Sequence, residues 1–324
     1  MPHAIIVKNF GGPEELKWAE IDRPSPDKNE VLIKTSVVGL NFIDIYHRQG
    51  LYPLPLPFTP GVESAGVITE VGQNVSTFKP GDRVACVSEP IGAYTTERVF
   101  PSTKLIKLPR SISDQTAAAI MLKGLTAAML LRRVHKIIAG ETVLIHAAAG
   151  GVGLILTQWA TALGAIVIGT VGSKKKANLI KRFGARHAII YQNQNFVESV
   201  SKITKEQGVS VVYDTVGLAT FPKSLGCLKP RGLWVTFGNT SGPVPPILPL
   251  DLMKNGSLFM TRPILNHYIQ TDIERQELAL ELFSAIRKQH IQVQINDMFE
   301  LNEASKAHTL LQSRKTVGST VLLP

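Results

Sequence analysis

The chain has 324 residues, 44% of them hydrophobic, with 26 Gly and 20 Pro interspersed among apolar runs; this exceeds one ordinary core, suits two domains of about 100–150 residues each, and excludes a disordered polymer. Thirty-five Lys and Arg against 25 Asp and Glu leave a net charge of +10, which invites an anionic partner. The two cysteines, Cys86 and Cys227, are too few for a disulfide framework or a thiolate metal cage, and each reads as a small buried hydrophobe.

The N-terminus, Met1 to Lys8, holds too short an apolar stretch for a secretory signal and no small-residue cleavage site follows it, while no apolar run approaches the about 20 residues of a membrane span. The expectation is a cytoplasmic protein without a membrane partner. Up to residue 110 the chain reads as short strands between turn signals, at Ala4 to Val7, Glu30 to Val38, Ser64 to Val71 and Arg83 to Val87, which points to an irregular β-rich domain. The Pro-rich run from Pro53 to Gly61 reads as a stiff internal loop.

From Glu141 the rhythm changes to apolar, β-branched strands alternating with helices. Strands are expected at Thr142 to His146, Ala165 to Thr170, His187 to Tyr191, Val209 to Asp214 and Gly232 to Phe237, with helices at Gly151 to Leu163 and Lys174 to Phe183. This alternation predicts an α/β fold with a Rossmann-like, doubly wound parallel sheet. Beyond Leu248 the pattern loosens; a helix from Thr271 to Lys288, a strand, a helix from Asn302 to Ser313 and a strand from Ser319 to Leu323 are expected to return to the first domain.

Ala147 to Gly153 joins the first of these strands to its helix, where a dinucleotide pyrophosphate is bound. Small residues there let the backbone approach the phosphates, and the helix N-terminus offers N–H groups to them. The pattern departs from G-x-G-x-x-G, so its weight comes from the strand before and the helix and strand after. An NAD-specific site has an acid at the end of the second strand for the ribose hydroxyl. Here no acid occurs anywhere from Thr142 to Val197, and Ser173-Lys174-Lys175-Lys176 occupies the place. Three lysines in a first helical turn oppose the macrodipole, whereas a 2′-phosphate would reverse the sign of that interaction. The expected cofactor is therefore NADPH, with Ser173 as N-cap and donor.

Ala147 to Gly153 resembles the phosphate turn of the medium-chain dehydrogenase/reductase superfamily. Leu40-Asn41-Phe42-Ile43-Asp44, Gly50-Leu51-Tyr52-Pro53, Lys123-Gly124-Leu125-Thr126, Gly169 to Gly172, Asp214 to Gly217, Phe237-Gly238-Asn239 and Thr261-Arg262-Pro263 extend the likeness, in order and over the whole chain, to the zeta-crystallin-like NADPH:quinone oxidoreductases. The resemblance implies a GroES-like catalytic domain from residues 1–122 and 263–324, a Rossmann-like NADPH-binding domain from 123–262, and a homodimer. It also implies that Asn41, Phe42, Tyr46 and Thr126 line the nicotinamide side, that Gly151 and Val152 hold the pyrophosphate, and that Gly172, Ser173, Lys176 and Tyr191 hold the adenosine end. Phe237, Gly238, Ser241 and Arg314 complete the nicotinamide end.

Zinc-dependent members of the superfamily carry a metal-binding Cys where this chain has Leu40-Asn41-Phe42, and Gly-His-Glu where it has Gly61-Val62-Glu63. Glu63 is left as a structural carboxylate, and no metal is expected. Without a Lewis acid an unactivated ketone is a poor hydride acceptor, but a quinone delocalises the incoming charge itself. Asn41 and Tyr46 are the expected hydrogen-bond donors, unless they only contact the cofactor or maintain the loop, and solvent supplies the proton. Reduction of activated C=C bonds in enals or enones is the alternative within this chemistry. An NADPH-binding nucleic-acid or structural protein is the alternative from another class, against which stands the lack of interleaved aromatics, Phe183 apart, in the basic stretch.

Overall fold

Contacts within the computed structural model, which describes residues 1–324, divide the chain into two units. One comprises Met1–Leu125, Tyr268–Arg287 and Val293–Pro324, the other Thr126–His267 and Lys288–Gln292. In chain order the first unit starts with β1 (His3–Ile6), β2 (Lys17–Glu20), β3 (Glu30–Leu40), α1 (Phe42–Gln49), β4 (Glu63–Val71), β5 (Arg83–Val87), β6 (Glu97–Pro101) and β7 (Ile106–Lys107). Helix α2 (Asp114–Met129) leads the chain onward.

The second unit contains β8 (Thr142–Ile145), α3 (Gly151–Ala162), β9 (Ile166–Val171), α4 (Lys174–Arg182), β10 (His187–Ile190), α5 (Phe196–Ile203), β11 (Val209–Asp214), β12 (Leu228–Thr236), α6 (Pro249–Lys254) and β13 (Phe259–Thr261). Back in the first unit come α7 (Asp272–Arg287), β14 (Ile295–Glu300), α8 (Ala304–Gln312) and β15 (Ser319–Leu323). No helix is long and apolar enough to cross a membrane.

The six strands of the second unit pair in the order β10-β9-β8-β11-β12-β13, all parallel. That is the doubly wound order, and its switch point lies between β8 and β11, where a ligand meets strand C-termini without a crossover helix in the way. Their apolar runs are continuous because both faces are covered. Leu144, Ile168, Val212 and Trp234 form one buried core with Ile189 and Phe196. β12 starts at Leu228, ahead of the expected Gly232, because its pairing with β11 resumes across an irregularity in which Arg231 takes φ +61. The two-sided burial that made the other strands legible is absent from the short β13, which sequence patterning missed.

In the first unit a seven-stranded, mainly antiparallel sheet runs β14-β15-β3-β4-β5-β7, with β6 also on β3. The C-terminal β15 pairs antiparallel with β3, Thr320 opposite Leu40, so the chain end is built against the strand that delivers α1. Helix α8 starts at Ala304 and not at Asn302, because Leu301–Glu303 form a separate 3₁₀ turn.

Candidate active site

At the switch point, β8 ends at Ile145 and α3 begins at Gly151, capped by extended Gly150. Ala147 takes the left-handed φ of +50 and accepts from Gly150 N at 2.9 Å, and Ala148 N donates to Thr170 O at 3.1 Å. This folds the turn flat against β9. A Cβ on Gly153 would stand 2.3 Å from Ala147 O, and one on Gly169 would stand 2.5 Å from Ile180 Cδ1 and 2.8 Å from Ala148 Cβ. Glycine is therefore required at both places for helix and strands to close up. Gly151 and Val152 fall in the first turn of α3, whose N–H groups have no intrahelical acceptors and suit an anion.

Two strand ends meet next to this turn. Tyr191 N donates to Val171 O at 3.2 Å, and a Cβ on Gly172 would lie 2.8 Å from the Tyr191 hydroxyl. Ser173 caps α4, its Oγ accepting from Lys176 N at 3.3 Å. Lys174 and Lys175 are exposed, while Lys176 is half-buried, and that burial lowers its pKa. A cation so placed is costly by itself and gains from a neighbouring dianion. Gly172 and Tyr191 are thus brought together at the ends of β9 and β10, and Ser173 and Lys176 share the first turn of α4 that follows β9.

Fully buried Asp214 organises the loops after β11 and β12. Its carboxylate accepts from Val216 N at 2.8 Å, Thr220 Oγ1 at 2.7 Å and Trp234 Nε1 at 3.3 Å, and Phe237 N donates to its carbonyl at 2.8 Å. His146 joins this network, one ring nitrogen 3.1 Å from Ser224 Oγ and the other 2.9 Å from Thr170 Oγ1; burial depresses its pKa. The Ser241 hydroxyl donates to Val216 O at 2.7 Å, and Arg262 Nη1 donates to Gly238 O at 3.1 Å. Phe237, Gly238 and Ser241 are thereby brought to one loop cluster, with Ser241 acting on the loop itself.

The remaining expected site residues stand on other elements. Phe42 and Tyr46 lie on α1, ring centroids 6.3 Å apart, and Tyr46 meets Tyr52 edge-on at 5.4 Å. Thr126 is on α2, and Arg314 follows α8 in a left-handed conformation with φ +58.

Asn41 is the N-cap of α1; its backbone N–H donates to Asp44 Oδ2 at 2.8 Å, and Asp44 N donates to the Asn41 carbonyl at 3.1 Å. The Asn41 side-chain amide donates to Glu63 Oε2 at 2.8 Å and more weakly to Gly39 O at 3.4 Å. Glu63, 0% exposed, also accepts from Leu122 N at 2.7 Å and from Lys123 Nζ at 3.3 Å. The donors of Asn41 are thus committed to protein groups, which favours its loop-holding role. With an amide at Asn41, a hydrocarbon at Val62 and Glu63 engaged three times over, these residues do not fit zinc. No group of three or more His, Cys, Asp or Glu elsewhere is placed to hold a metal.

Asp44 belongs to a second buried chain. The Tyr94 hydroxyl lies 3.2 Å from Asp44 Oδ2 and 2.9 Å from His308 Nε2, and Arg48 Nη1 lies 3.1 Å from His308 Nδ1. Burial pushes the Asp44 carboxyl up to about 7 despite bonds from Asn41 and Tyr94 and depresses His308 to about 3. Glu63, Lys123, Asp44, Tyr94, His308 and Asp214 carry this architecture, yet sequence reasoning gave none of them its partners. The one local signal that could have found any of them is the Asn41-x-x-Asp44 spacing, an acid three residues after an N-cap residue.

Residues 151–284 match the family described as zinc-binding dehydrogenase, and residues 27–110 the alcohol dehydrogenase GroES-like domain. Over 325 residues the chain is 48% identical to a quinone oxidoreductase of Pseudomonas aeruginosa, with all of both chains covered. It is 43% identical over 332 residues to a 2-haloacrylate reductase of a Burkholderia species, covering 100% of this chain and 99% of the other. The crystal structure of Escherichia coli quinone oxidoreductase complexed with NADPH superposes with a TM-score of 0.97 at 44% identity, over 99% of this chain and 100% of that one.

Proposed function

This chain belongs to the quinone oxidoreductases of the medium-chain dehydrogenase/reductase superfamily, and we propose that it reduces quinones with NADPH through protein groups alone, without zinc. The observation that carries the metal-free reading is the side-chain amide of Asn41 bonded to Glu63 where zinc-dependent members bring a ligand.

NADPH, when bound, supplies the hydride. Gly151 and Val152 at the start of α3 hold its pyrophosphate. Gly172, Ser173, Lys176 and Tyr191 hold the 2′-phosphate and adenosine, and Asn41, Phe42, Tyr46, Thr126, Phe237, Gly238, Ser241 and Arg314 face the nicotinamide end. Residues 123–262 serve the cofactor, and 1–122 with 263–324 serve the acceptor. Of the two expected donors, Tyr46 is the one assigned to the acceptor oxygen. Asn41, clamped by Glu63, fixes the helix start from which Phe42 and Tyr46 project. The quinone ring spreads the arriving charge, so positioning and one or two hydrogen bonds suffice, and solvent completes the proton inventory.

The likeness to a 2-haloacrylate reductase favours a second acceptor class, activated C=C bonds, which accept hydride by the same logic. A cytoplasmic homodimer completes the reading. Its support is β13, an unpaired sheet edge on which Phe259 is 61% exposed, with Leu250 and Met253 exposed on α6 beside it in sequence.

Steady-state oxidation of NADPH against benzoquinone, naphthoquinone, an alkenal and a saturated ketone tests the assignment. Quinones turn over, the saturated ketone does not, and dialysis against a strong chelator leaves the rate unchanged. No turnover with quinone or enal, or loss of activity together with stoichiometric zinc, overturns it.

A further inference from the structure

Three ionisable side chains are buried around the start of α1. Glu63 and Asp44 are both 0% exposed, and the Lys123 side chain is 7% exposed. The two carboxylates hold the same residue from opposite ends: Glu63 Oε2 accepts from the Asn41 side-chain amide and Asp44 Oδ2 from the Asn41 backbone N–H, each at 2.8 Å. Neighbouring carboxylates in a dry site repel, and Glu63 does raise the Asp44 pKa while Lys123 lowers it. Lys123 therefore acts on both, bonded to one and felt by the other.

The same Glu63 binds Leu122 N on α2, and a Cβ at Gly39 would come 2.4 Å from its Oε2. Glycine at the end of β3 thus leaves room for the carboxylate to reach between β3, β4 and α2. Lys123 stands on α2 three positions before Thr126, and Asn41 stands immediately before Phe42, with Tyr46 one helical turn on.

We propose that Lys123 is a positioning residue for hydride transfer: its ammonium, paired with Glu63, is the countercharge that allows Glu63 and Asp44 to clamp Asn41 and so set the start of α1 against the nicotinamide. This rests on the reading that Asn41, Phe42 and Tyr46 face the nicotinamide.

Stability and positioning are separable here. Lys123→Met leaves Glu63 buried with no countercharge and lowers the melting temperature. The double variant Lys123→Met/Glu63→Gln leaves no unpaired charge, and its stability recovers towards wild type. The introduced carboxamide, however, has one acceptor oxygen for the two N–H groups of Asn41 and Leu122, so the clamp stays loose.

The expected result is that kcat with NADPH and benzoquinone falls about tenfold or more in the single variant and does not recover with stability in the double variant, while Kd for NADPH stays within about threefold. The fluorescence of bound NADPH, which reports the nicotinamide surroundings whatever the acceptor, changes in both. If kcat recovers together with the melting temperature, or both variants keep wild-type kcat and emission, Lys123 is structural only and the proposal fails. Absence of wild-type turnover with benzoquinone would fail the acceptor assignment alone, and the emission of bound NADPH then decides.

Discussion

His308 Nε2 stands 2.9 Å from the Tyr94 hydroxyl, and because Arg48 can only donate to the other ring nitrogen, at 3.1 Å, Nε2 carries the proton. The imidazole therefore donates to Tyr94, and Tyr94 donates to Asp44 Oδ2 at 3.2 Å. The direction of the chain is fixed from α8 through the β5–β6 loop to α1, and it ends on a carboxyl group whose other oxygen has no partner.

Asp44 makes stability depend on pH. Its folded-state value of about 7 lies above the ordinary 3.8, so the folded protein binds this proton more tightly than the unfolded chain does. The stabilisation is complete below the ordinary value and is lost as pH rises through about 7, up to about 4 kcal/mol in all. Asp44→Asn keeps an acceptor for Asn41 N and Tyr94 but removes the titration. Chemical denaturation at about pH 5 and pH 8 should show a clearly smaller loss of unfolding free energy in Asp44→Asn than in wild type. Equal losses would mean that Asp44 does not titrate in this range.

Gly153 tests the phosphate turn without touching a charge. Its missing Cβ would sit 2.3 Å from Ala147 O, a backbone atom that cannot swing aside. Gly153→Ala should push α3 off the turn, destabilising the fold by about 1–3 kcal/mol and weakening NADPH binding by about tenfold or more. Unchanged NADPH affinity in a fluorescence titration would place the pyrophosphate elsewhere.

The core strands of the parallel sheet were legible because they are buried on both faces and read as unbroken apolar runs, Val209–Asp214 being delimited to the residue; in the other sheet Arg83–Val87 and Ser319–Leu323 were delimited as closely. The phosphate turn was legible because close packing admits only small side chains there. The ion-pair cluster was not. Glu63 and Lys123 are 60 positions apart, Tyr94 and His308 are 214 apart, and charged residues at such separations carry no periodic signal. Nothing in the order of residues marks Glu63 as buried except the absence of the metal ligands it would otherwise join. Met260 and Phe259 were missed for the opposite reason, since a three-residue edge strand is too short to show a period.

That edge carries a prediction about assembly. Strand β13 pairs with β12 on one side only and exposes Phe259 and Met260. A second copy of the edge would satisfy its free backbone groups and cover these side chains, whereas lysines would prevent the approach. Wild type should sediment as a dimer, and Phe259→Lys/Met260→Lys as a folded monomer with unaltered far-ultraviolet dichroism. A wild-type monomer, or a variant that stays dimeric, removes this edge as the interface.

Cofactor choice rests on Lys176 more than on its neighbours. Lys174 and Lys175 are exposed, and exposed charges interact weakly with a ligand at ordinary salt. Lys176 is half-buried, its pKa lowered by that burial, and it follows the Ser173 cap whose hydroxyl points at the same turn. NADPH differs from NADH only in the 2′-phosphate, so discrimination must come from groups that meet it. A charge-assisted hydrogen bond of this kind is worth roughly 1.5–3 kcal/mol, and about 1.4 kcal/mol is tenfold in affinity. Ser173 and Lys176 together should give a preference for NADPH of about a hundredfold or more, with no acid between Thr142 and Val197 to favour NADH. Lys176→Ala should weaken NADPH by about tenfold or more, leave NADH within about twofold, and flatten the salt dependence of NADPH affinity, because one phosphate contact has gone. Equal losses for the two cofactors would make Lys176 a support of α4 and not a reader of the phosphate, and a wild type that prefers NADH would overturn the assignment of the whole Gly172–Lys176 turn.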